Sequence, residues 1–315
     1  MPLIRSKNFT EDNIPDQTGR VIIITGGTSG LGLTSAIALA KKNAHVIIGA
    51  RSDKKGQEAV EKIKQEGNNP SAIVEYGIME QTDMKSVKKF SQWFLERNLP
   101  LHVLLLNAGI CMVRSEIIDG VENTMLVNHV SHHYLASLLL QKLEESGPSR
   151  IVFVASFVHL YVMMSQNWAK VLRAEPGKSL GLFMQYGKSK LANILDARQF
   201  AKILGPDSKV VCNAIDPGPV QTNLGKEQSM FEAGIGAKFR SVFDPIAYNT
   251  VEEGILSQIY ASVHPEIDSK HITGRYFVPY GTEKEPSKIA RDEKAAQELW
   301  DLTEAHLHRI MGNDK

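Results

Sequence analysis

Short apolar runs, mostly β-branched, recur along the chain between segments of helical periodicity. Residues 21–24, Val-Ile-Ile-Ile, are too few for a helix and continuous enough for a strand buried on both faces. Similar runs predict strands over 44–49, 72–76, 101–106, 150–155, 209–215 and 272–278. Between them the spacing predicts helices: one running through Leu39 and Ala40, then 53–65, 84–95, 122–143, 185–204, 250–261 and an amphipathic one over 288–309. Ser52 and Asp53 are good N-cap types, and Asn68-Asn69-Pro70 breaks the chain before the third strand. Seven strands alternating with helices argue for a doubly wound α/β unit, a mainly parallel seven-stranded sheet with helices on both faces. The expected organisation is a polar lead-in over 1–19 and a single domain over 20–315.

The strand ends carry the chemistry. After 21–24 comes Thr25-Gly26-Gly27-Thr28-Ser29-Gly30-Leu31-Gly32, leading into a helix. Glycines allow a tight turn and close backbone approach to a pyrophosphate, and a helix N-terminus offers free N–H groups. The spacing is Gly-x-x-x-Gly-x-Gly, so an ordinary glycine-rich connection remains open on this stretch alone. The second strand ends at Ala50-Arg51-Ser52 with no carboxylate to accept ribose hydroxyls, and an arginine there can pair with a 2′-phosphate. The fourth strand ends at Asn107-Ala108-Gly109, the fifth at Ser156, and the sixth at Asp216-Pro217-Gly218. Asn128 stands among apolar residues of a long helix, where its amide must be paired if buried. Tyr186 and Lys190 lie at i and i+4, near the start of the helix expected over 185–204, so they share a face. An ammonium beside a phenol favours the phenolate and makes the tyrosine a better acid and base near neutrality.

Composition narrows the classes. Thirty-six basic and 35 acidic residues cancel, which gives no reason to expect nucleic acid or an acidic surface as partner. Two cysteines, Cys111 and Cys212, are too few and too far apart for a disulfide framework or a metal site. No apolar stretch reaches the ~18 residues of a spanning helix, and residues 1–19 carry no leader-like apolar run. A cytoplasmic protein without an integral membrane segment is expected.

In their order, these motifs resemble the short-chain dehydrogenase/reductase family over nearly the whole chain. The family's Thr-Gly-x-x-x-Gly-x-Gly is Thr25 to Gly32, its Asn-Ala-Gly is Asn107 to Gly109, and its Tyr-x-x-x-Lys is Tyr186 and Lys190. Its active-site asparagine, in an Asn-His-x-x-x-His pattern, falls on Asn128 with His129 and His133, and its serine on Ser156. Ser189 to Asn193, Glu285-Pro286-Ser287 and Leu299-Trp300 are similar to the retinol dehydrogenase and carbonyl-reductase branch. Light-dependent protochlorophyllide reductase shares several of these features.

The resemblance implies a Rossmann-type fold and an oxidoreductase interconverting a carbonyl and an alcohol by hydride transfer. Asn128, Ser156, Tyr186 and Lys190 are the implied catalytic residues. Tyr186 exchanges the proton, Lys190 lowers its pKa and holds the nicotinamide ribose, Ser156 holds the substrate oxygen, and Asn128 positions a water leading from Lys190 to solvent. NADP(H) is the implied cofactor. Its contacts would come from Gly26, Thr28, Ser29, Gly30, Leu31 and Gly32, from Arg51 and Ser52, and from Glu80. Asn107, Ala108 and Gly109, then Pro217, Gly218, Val220 and Thr222, together with Tyr186 and Lys190, would complete the set. No metal is implied, and a homodimer or homotetramer is. The apolar residues of 157–184 and 223–243 suggest an apolar aldehyde or ketone, retinoid-, steroid- or lipid-like or another secondary metabolite. The chain departs from the family at Leu106, at Glu80 where an aspartate is usual, and at Asp216 where this branch often has histidine. A nucleotide-binding regulator of the same fold, or a C=C reductase of the protochlorophyllide type, are the alternative readings.

Overall fold

The computed structural model describes residues 9–111, 113–162, 166–173, 179–220 and 249–312. Among them the strands are β1 (Val21–Ile24), β2 (His45–Ala50), β3 (Val74–Ile78), β4 (Val103–Leu106), β5 (Ile117–Ile118), β6 (Val121–Glu122), β7 (Ser149–Val154), β8 (Val210–Ile215), β9 (Tyr276–Val278) and β10 (Thr282–Glu283). One eight-stranded sheet runs in the order β10-β9-β8-β7-β4-β1-β2-β3, and β5 pairs only with β6. All pairings in the sheet are parallel except that of β10 with β9. The expected seven strands are therefore the parallel ones, and the eighth is a short return. Tyr280 (φ +67°) and Gly281 (φ +71°) reverse the chain and bring Thr282 opposite Val278. Two exposed polar residues carry no hydrophobic pattern, which is why this strand is invisible in the sequence.

Alternate strand residues feed two core layers. Ile22, Ile24, Val46, Ile48, Val103 and Leu105 pack against α1 (Gly30–Lys41), α2 (Asp53–Gly67) and, from further along the chain, the helix Val251–Val263. Ile23, Ile47, Leu104 and Leu106 pack on the other side against α3 (Met84–Glu96) and the later long helices. Burial on both faces explains why β1 and β4 are apolar at every position.

Three helices differ from expectation in ways that matter for the site. The stretch expected as one helix over 122–143 begins as α4 (Asn123–Met125), passes through a π turn at Leu126–Val130, and continues as α5 (Ser131–Ser146). The buried Glu122 carboxylate starts it by accepting from the N–H groups of Thr124 (3.0 Å) and Met125 (3.1 Å). After α6 (Trp168–Leu172), α7 runs over Ser179–Leu204, so Tyr186 lies about two turns inside it and not at its start. Gly181 weakens the local helical signal, whereas the tertiary packing of Phe183 and the Gln185 bond to Val171 O (3.0 Å) hold this first part in place. Next come α8 (Val251–Val263) and α9 (Pro265–Ser269). Finally, α10 (Glu293–Met311) starts where Asp292 caps it, five residues later than the apolar pattern suggested. Leu135, Leu139, Ile194 and Leu195 are buried within the chain's own core, and Leu138 is half-buried.

Because β1, β2, β3, β4, β7 and β8 are parallel, their ends at Ile24, Ala50, Ile78, Leu106, Val154 and Ile215 lie on one edge of the sheet. Strand order reverses between β1 and β4, and ligands of open α/β sheets bind in the crevice outside such a switch point.

Candidate active site

The glycine loop leaves β1 and is fastened at once by Thr25. The Thr25 hydroxyl oxygen accepts from the N–H groups of Asn107 (2.9 Å) and Ala108 (2.9 Å), and the Asn107 amide donates to Thr25 O (2.9 Å). Gly26 and Gly32 are demanded by this closeness. A Cβ on Gly26 would lie 2.9 Å from Ala108 Cα, and one on Gly32 would lie 2.4 Å from Gly26 O. Gly30 differs: its φ of +53° needs glycine, but a Cβ there would meet nothing within 4 Å. The loop thus opens a backbone cradle at the start of α1, where the Ser29 side chain caps none of the first-turn amides. Free amides and a positive dipole end facing open space suit a pyrophosphate, so these residues fit a dinucleotide. Thr28 and Leu31 lie half-buried in the same loop.

The other expected cofactor residues sit along the same edge. Arg51 and Ser52 are exposed immediately after β2, Ser52 as the N-cap of α2. Glu80 follows β3, and its carboxylate accepts from Thr82 N (3.2 Å) within its own turn. Gly218 (φ +76°) has no room for a Cβ, which would come within 2.7 Å of Pro279 and 2.8 Å of the Asn249 amide, and Val220 bridges to Asn249. Thr222 and the stretch 223–243 lie outside the described residues.

Asn128 sits at the centre of the π turn with no exposed surface. Its Oδ1 accepts from Ile110 N (2.8 Å), and its Nδ2 donates to Ile110 O (2.9 Å) and to the Ser189 hydroxyl (2.9 Å). A Cβ on Gly109 would stand 3.3 Å from Asn128 Oδ1 and 3.5 Å from Lys190 Nζ, so the Asn107–Gly109 segment runs close beside both. Lys190 Nζ donates to Val154 O (2.8 Å) at the end of β7 and lies 5.7 Å from the centre of the Tyr186 ring. The Ser156 hydroxyl is near enough to the Tyr186 phenol to oppose the burial-driven rise of its pKa. The four expected catalytic residues are therefore assembled from α4–α5, β7 and α7 at one place.

Burial dominates their ionisation. It holds the Tyr186 phenol well above its ordinary pKa, with Cys111 and Asp216 adding to the rise and the Ser156 hydroxyl opposing it. It also lowers Lys190 to about 8, partly offset by Cys111 and Asp216. Cys111, part of a small apolar cluster with Phe157, Val158, Phe183 and Met184 around Tyr186, is kept as a thiol by burial, at about 12. Both members of the tyrosine–lysine pair are held towards their neutral forms by this burial.

Several residues absent from the expected set shape the site. His132 joins it to the glycine loop: a carbonyl can only accept, so Nδ1 carries the hydrogen to Asn128 O (3.1 Å), and Nε2 accepts from the Thr25 hydroxyl (2.9 Å). Burial, helped by Lys190, lowers His132 to about 3 and keeps it neutral. His159 ties down the serine: its Nδ1 donates to Ser156 O (2.7 Å), and its Nε2 accepts from Ser287 N (3.2 Å). His129 and His133, expected beside Asn128, point away toward α10. Asp216 is buried between Gly218 N (2.9 Å) and the Tyr276 hydroxyl (3.3 Å). Its departure from the branch pattern was the one signal in the sequence. For His132, only its adjacency to the expected His133 pointed there.

A doubly wound sheet with such a cradle at its switch point defines a Rossmann-type nucleotide-binding fold. More narrowly, the chain belongs to the short-chain dehydrogenase/reductase family and to its retinol dehydrogenase-like branch. The short chain dehydrogenase family model matches residues 20–168. A short-chain dehydrogenase/reductase of Aspergillus calidoustus, drtF, is 33% identical over 311 residues, covering 94% of this chain and 96% of that one. Human polyprenol dehydrogenase is 33% identical over 298 residues (93% and 86% covered), and mouse retinol dehydrogenase 14 is 34% identical over 302 (91% and 85%). Among solved structures, an uncharacterized protein from Mycobacterium Paratuberculosis superposes with a TM-score of 0.73 at 26% identity, covering 95% of this chain and 97% of that one. Among the described residues, no helix is long and apolar enough to cross a membrane, and no group of three or more His, Cys, Asp or Glu could hold a metal ion.

Proposed function

We propose that this dehydrogenase/reductase uses NADP(H) and works chiefly as a reductase of apolar aldehydes or ketones. The gathering of Ser156, Tyr186 and Lys190 at the end of β7 carries the reading, because two hydroxyl donors there can serve one carbonyl oxygen. When bound, the nicotinamide supplies the hydride in reduction and takes it in oxidation. Ser156 orients the substrate oxygen and stabilises the charge that develops on it. Tyr186 donates the proton that completes the alcohol, and a phenol held above its ordinary pKa is in the right form to do so. Lys190 moves that proton onward and binds the nicotinamide-side ribose. Asn128 pins Ile110 and Ser189 beside Lys190, and its main-chain carbonyl has a second lone pair for a relay water besides the one His132 takes.

Three observations support the finer choices. Ala50 and Arg51 end β2 without a carboxylate and with a cation, which suits a 2′-phosphate and the reducing direction that accompanies it. Phe157, Val158, Phe183 and Met184 make an apolar wall around Tyr186. Polyprenol and retinol, for which two relatives are named, are long apolar alcohols. A single domain over 20–315, a cytoplasmic location and a homodimer or homotetramer belong to the same reading.

The test is catalytic efficiency on a panel of aldehydes and ketones with NADPH and with NADH. A preference for NADPH of roughly ten- to hundred-fold is expected from one charge-assisted phosphate contact. Ala50→Asp combined with Arg51→Ala should move the preference toward NADH. Equal use of both cofactors by the unmodified protein, or no shift in the double variant, defeats the assignment of Arg51.

A further inference from the structure

Glu285-Pro286-Ser287 is a motif that the reaction as described leaves unused. It follows β10 and is folded back on itself: Arg291 pairs with Glu285 (3.3 Å), and the Ser287 hydroxyl accepts from Ala290 N (3.3 Å). The main-chain N–H of Ser287 donates instead to Nε2 of His159 (3.2 Å), 128 residues earlier in the chain. His159 belongs to the 3-10 turn Phe157–Tyr161 that Ser156 starts, and it has no exposed surface. The Ser156 carbonyl accepts twice from it, from the His159 N–H (3.1 Å) and from Nδ1–H (2.7 Å). The Ser156 hydroxyl oxygen accepts from Val158 N (3.3 Å), which leaves the hydroxyl's own hydrogen for another acceptor. Two further elements close in on this turn. A Cβ on Gly187 of α7 would stand 3.1 Å from Val158 O, and the Tyr276 ring of β9 meets the His159 ring edge-on, 5.2 Å between centres.

We propose that His159 is a positioning residue for Ser156, and that the Ser287 N–H selects the tautomer in which it works. The proposal rests on the reading of Ser156 as the group that receives the substrate oxygen. A neutral imidazole has one donor and one acceptor nitrogen, and its partners decide which is which. Burial lowers the pKa of His159 and keeps the ring neutral, so two tautomers are open to it. A carbonyl on one side and an N–H on the other admit only the form with hydrogen on Nδ1.

In the other tautomer a bare Nδ1 would face the Ser156 carbonyl, and Nε2–H would face the Ser287 N–H. Both bonds would be lost, and the buried carbonyl would keep only the His159 N–H as partner. A segment near the end of the chain thus holds the pitch of the serine turn through one ring. The hydroxyl direction follows from that pitch, and a donor stabilises developing charge only when it is aimed in advance.

The experiment compares two replacements of His159 in the full-length protein, with carbonyl reduction by NADPH as the assay and Ser156→Ala as the reference. An asparagine amide reaches the position of Nδ1 and can keep the bond to Ser156 O, whereas a glutamine amide reaches that of Nε2 and keeps only the bond to Ser287 N. His159→Gln should lower kcat at least about ten-fold, since misplacing a reacting group by 1 Å can cost about 10²-fold. His159→Asn should recover most of that loss, and NADPH affinity by fluorescence titration should be the same in both. A merely structural role would move stability in both and would not separate their kcat values. Ser287→Pro removes the N–H donor; it should lower kcat when His159 is present and add nothing in His159→Asn, which has no tautomer to select. An unchanged kcat in folded His159→Gln, an asparagine variant no better than the glutamine one, or equal costs of Ser287→Pro in both backgrounds overturns the proposal. If these variants fail to fold, 15N NMR of the His159 ring in the unmodified protein decides: hydrogen on Nδ1 supports the proposal, and hydrogen on Nε2 overturns it. Full turnover in Ser156→Ala would instead defeat the reading of function on which the proposal stands.

Discussion

His132 and His133 are neighbours on α5, both almost fully buried, yet they hold opposite charge states. His132 faces the sheet edge, where its partners are the Asn128 carbonyl and the Thr25 hydroxyl. Neither partner repays the cost of burying a charge, so the ring stays neutral, at about 3, and serves as a spacer of fixed tautomer. His133 faces the other way, with Nδ1 on Asp196 (2.9 Å) and Nε2 on Glu304 (2.9 Å). Burial opposes its charge too, but two carboxylates outweigh that and raise it to about 9. His129, one helical turn earlier, bonds Thr303 (3.1 Å) and remains neutral, lowered by burial to about 4. Burial penalises the charge on each ring, and the partners across the gap decide the outcome. One face of the helix therefore builds the reaction crevice, and the other clips α10 to α5 and α7.

The sharpest way to separate the two faces is to remove one group from each and read turnover and stability together. Tyr186→Phe should cut turnover to background, a loss of at least about 10²–10⁴-fold for a missing proton donor, while cofactor affinity stays within a few-fold and the melting temperature scarcely moves. Near-full activity in that variant would mean that Tyr186 is not the donor. Asp196→Asn should do the reverse. It leaves the buried His133 imidazolium without its fully buried anion, so a stability loss of about 3–5 kcal/mol is expected in denaturant unfolding, with activity per folded molecule largely kept.

A smaller effect should appear at the outer carboxylate. Glu304 is half-buried, so Glu304→Gln should cost on the order of 1 kcal/mol at neutral pH. The pH dependence gives the sign. The folded His133 pKa lies above the ordinary histidine value, so its contribution is fully present below about pH 6.5 and is lost as pH rises through about 9. Removing Glu304 should move that loss to lower pH. Unfolding curves between pH 6 and 10 that superpose for both proteins would show that α10 is not held by this charge.

Much of this molecule was legible before any coordinate. Strands such as β1 and β4 announce themselves because both faces are buried, which forces every residue to be apolar. The Thr25–Gly32 spacing was equally readable, since Gly30 is required by its own positive φ and Gly32 by the Gly26 carbonyl of the same loop. β10 was not readable, because its register comes from a turn and from β9 and not from its own two polar residues. The Asp119-Gly120 turn of the β5–β6 hairpin did carry a sequence signal: both residues have positive φ, as a two-residue hairpin turn requires. The π turn at Asn128 left none, since its residues would suit an ordinary helix as well.

For the site, residue type and local spacing determined which groups gather at the strand ends, because a parallel sheet places all those ends on one edge. They also determined that Tyr186 and Lys190 share a helix face, which follows from 3.6 residues per turn. Charge and partnership were decided only in three dimensions. The sequence pattern placed His129 and His133 with Asn128, whereas the π turn rotates the helix so that His132 reaches Thr25 and His133 reaches Glu304, 171 residues away. Whether Asp216 is a surface acid or a buried carboxylate likewise depends on β9, which brings the Tyr276 hydroxyl onto it. An ionisable side chain takes its state from the solvent it loses and the partners it gains, and both are supplied by chain segments distant in sequence.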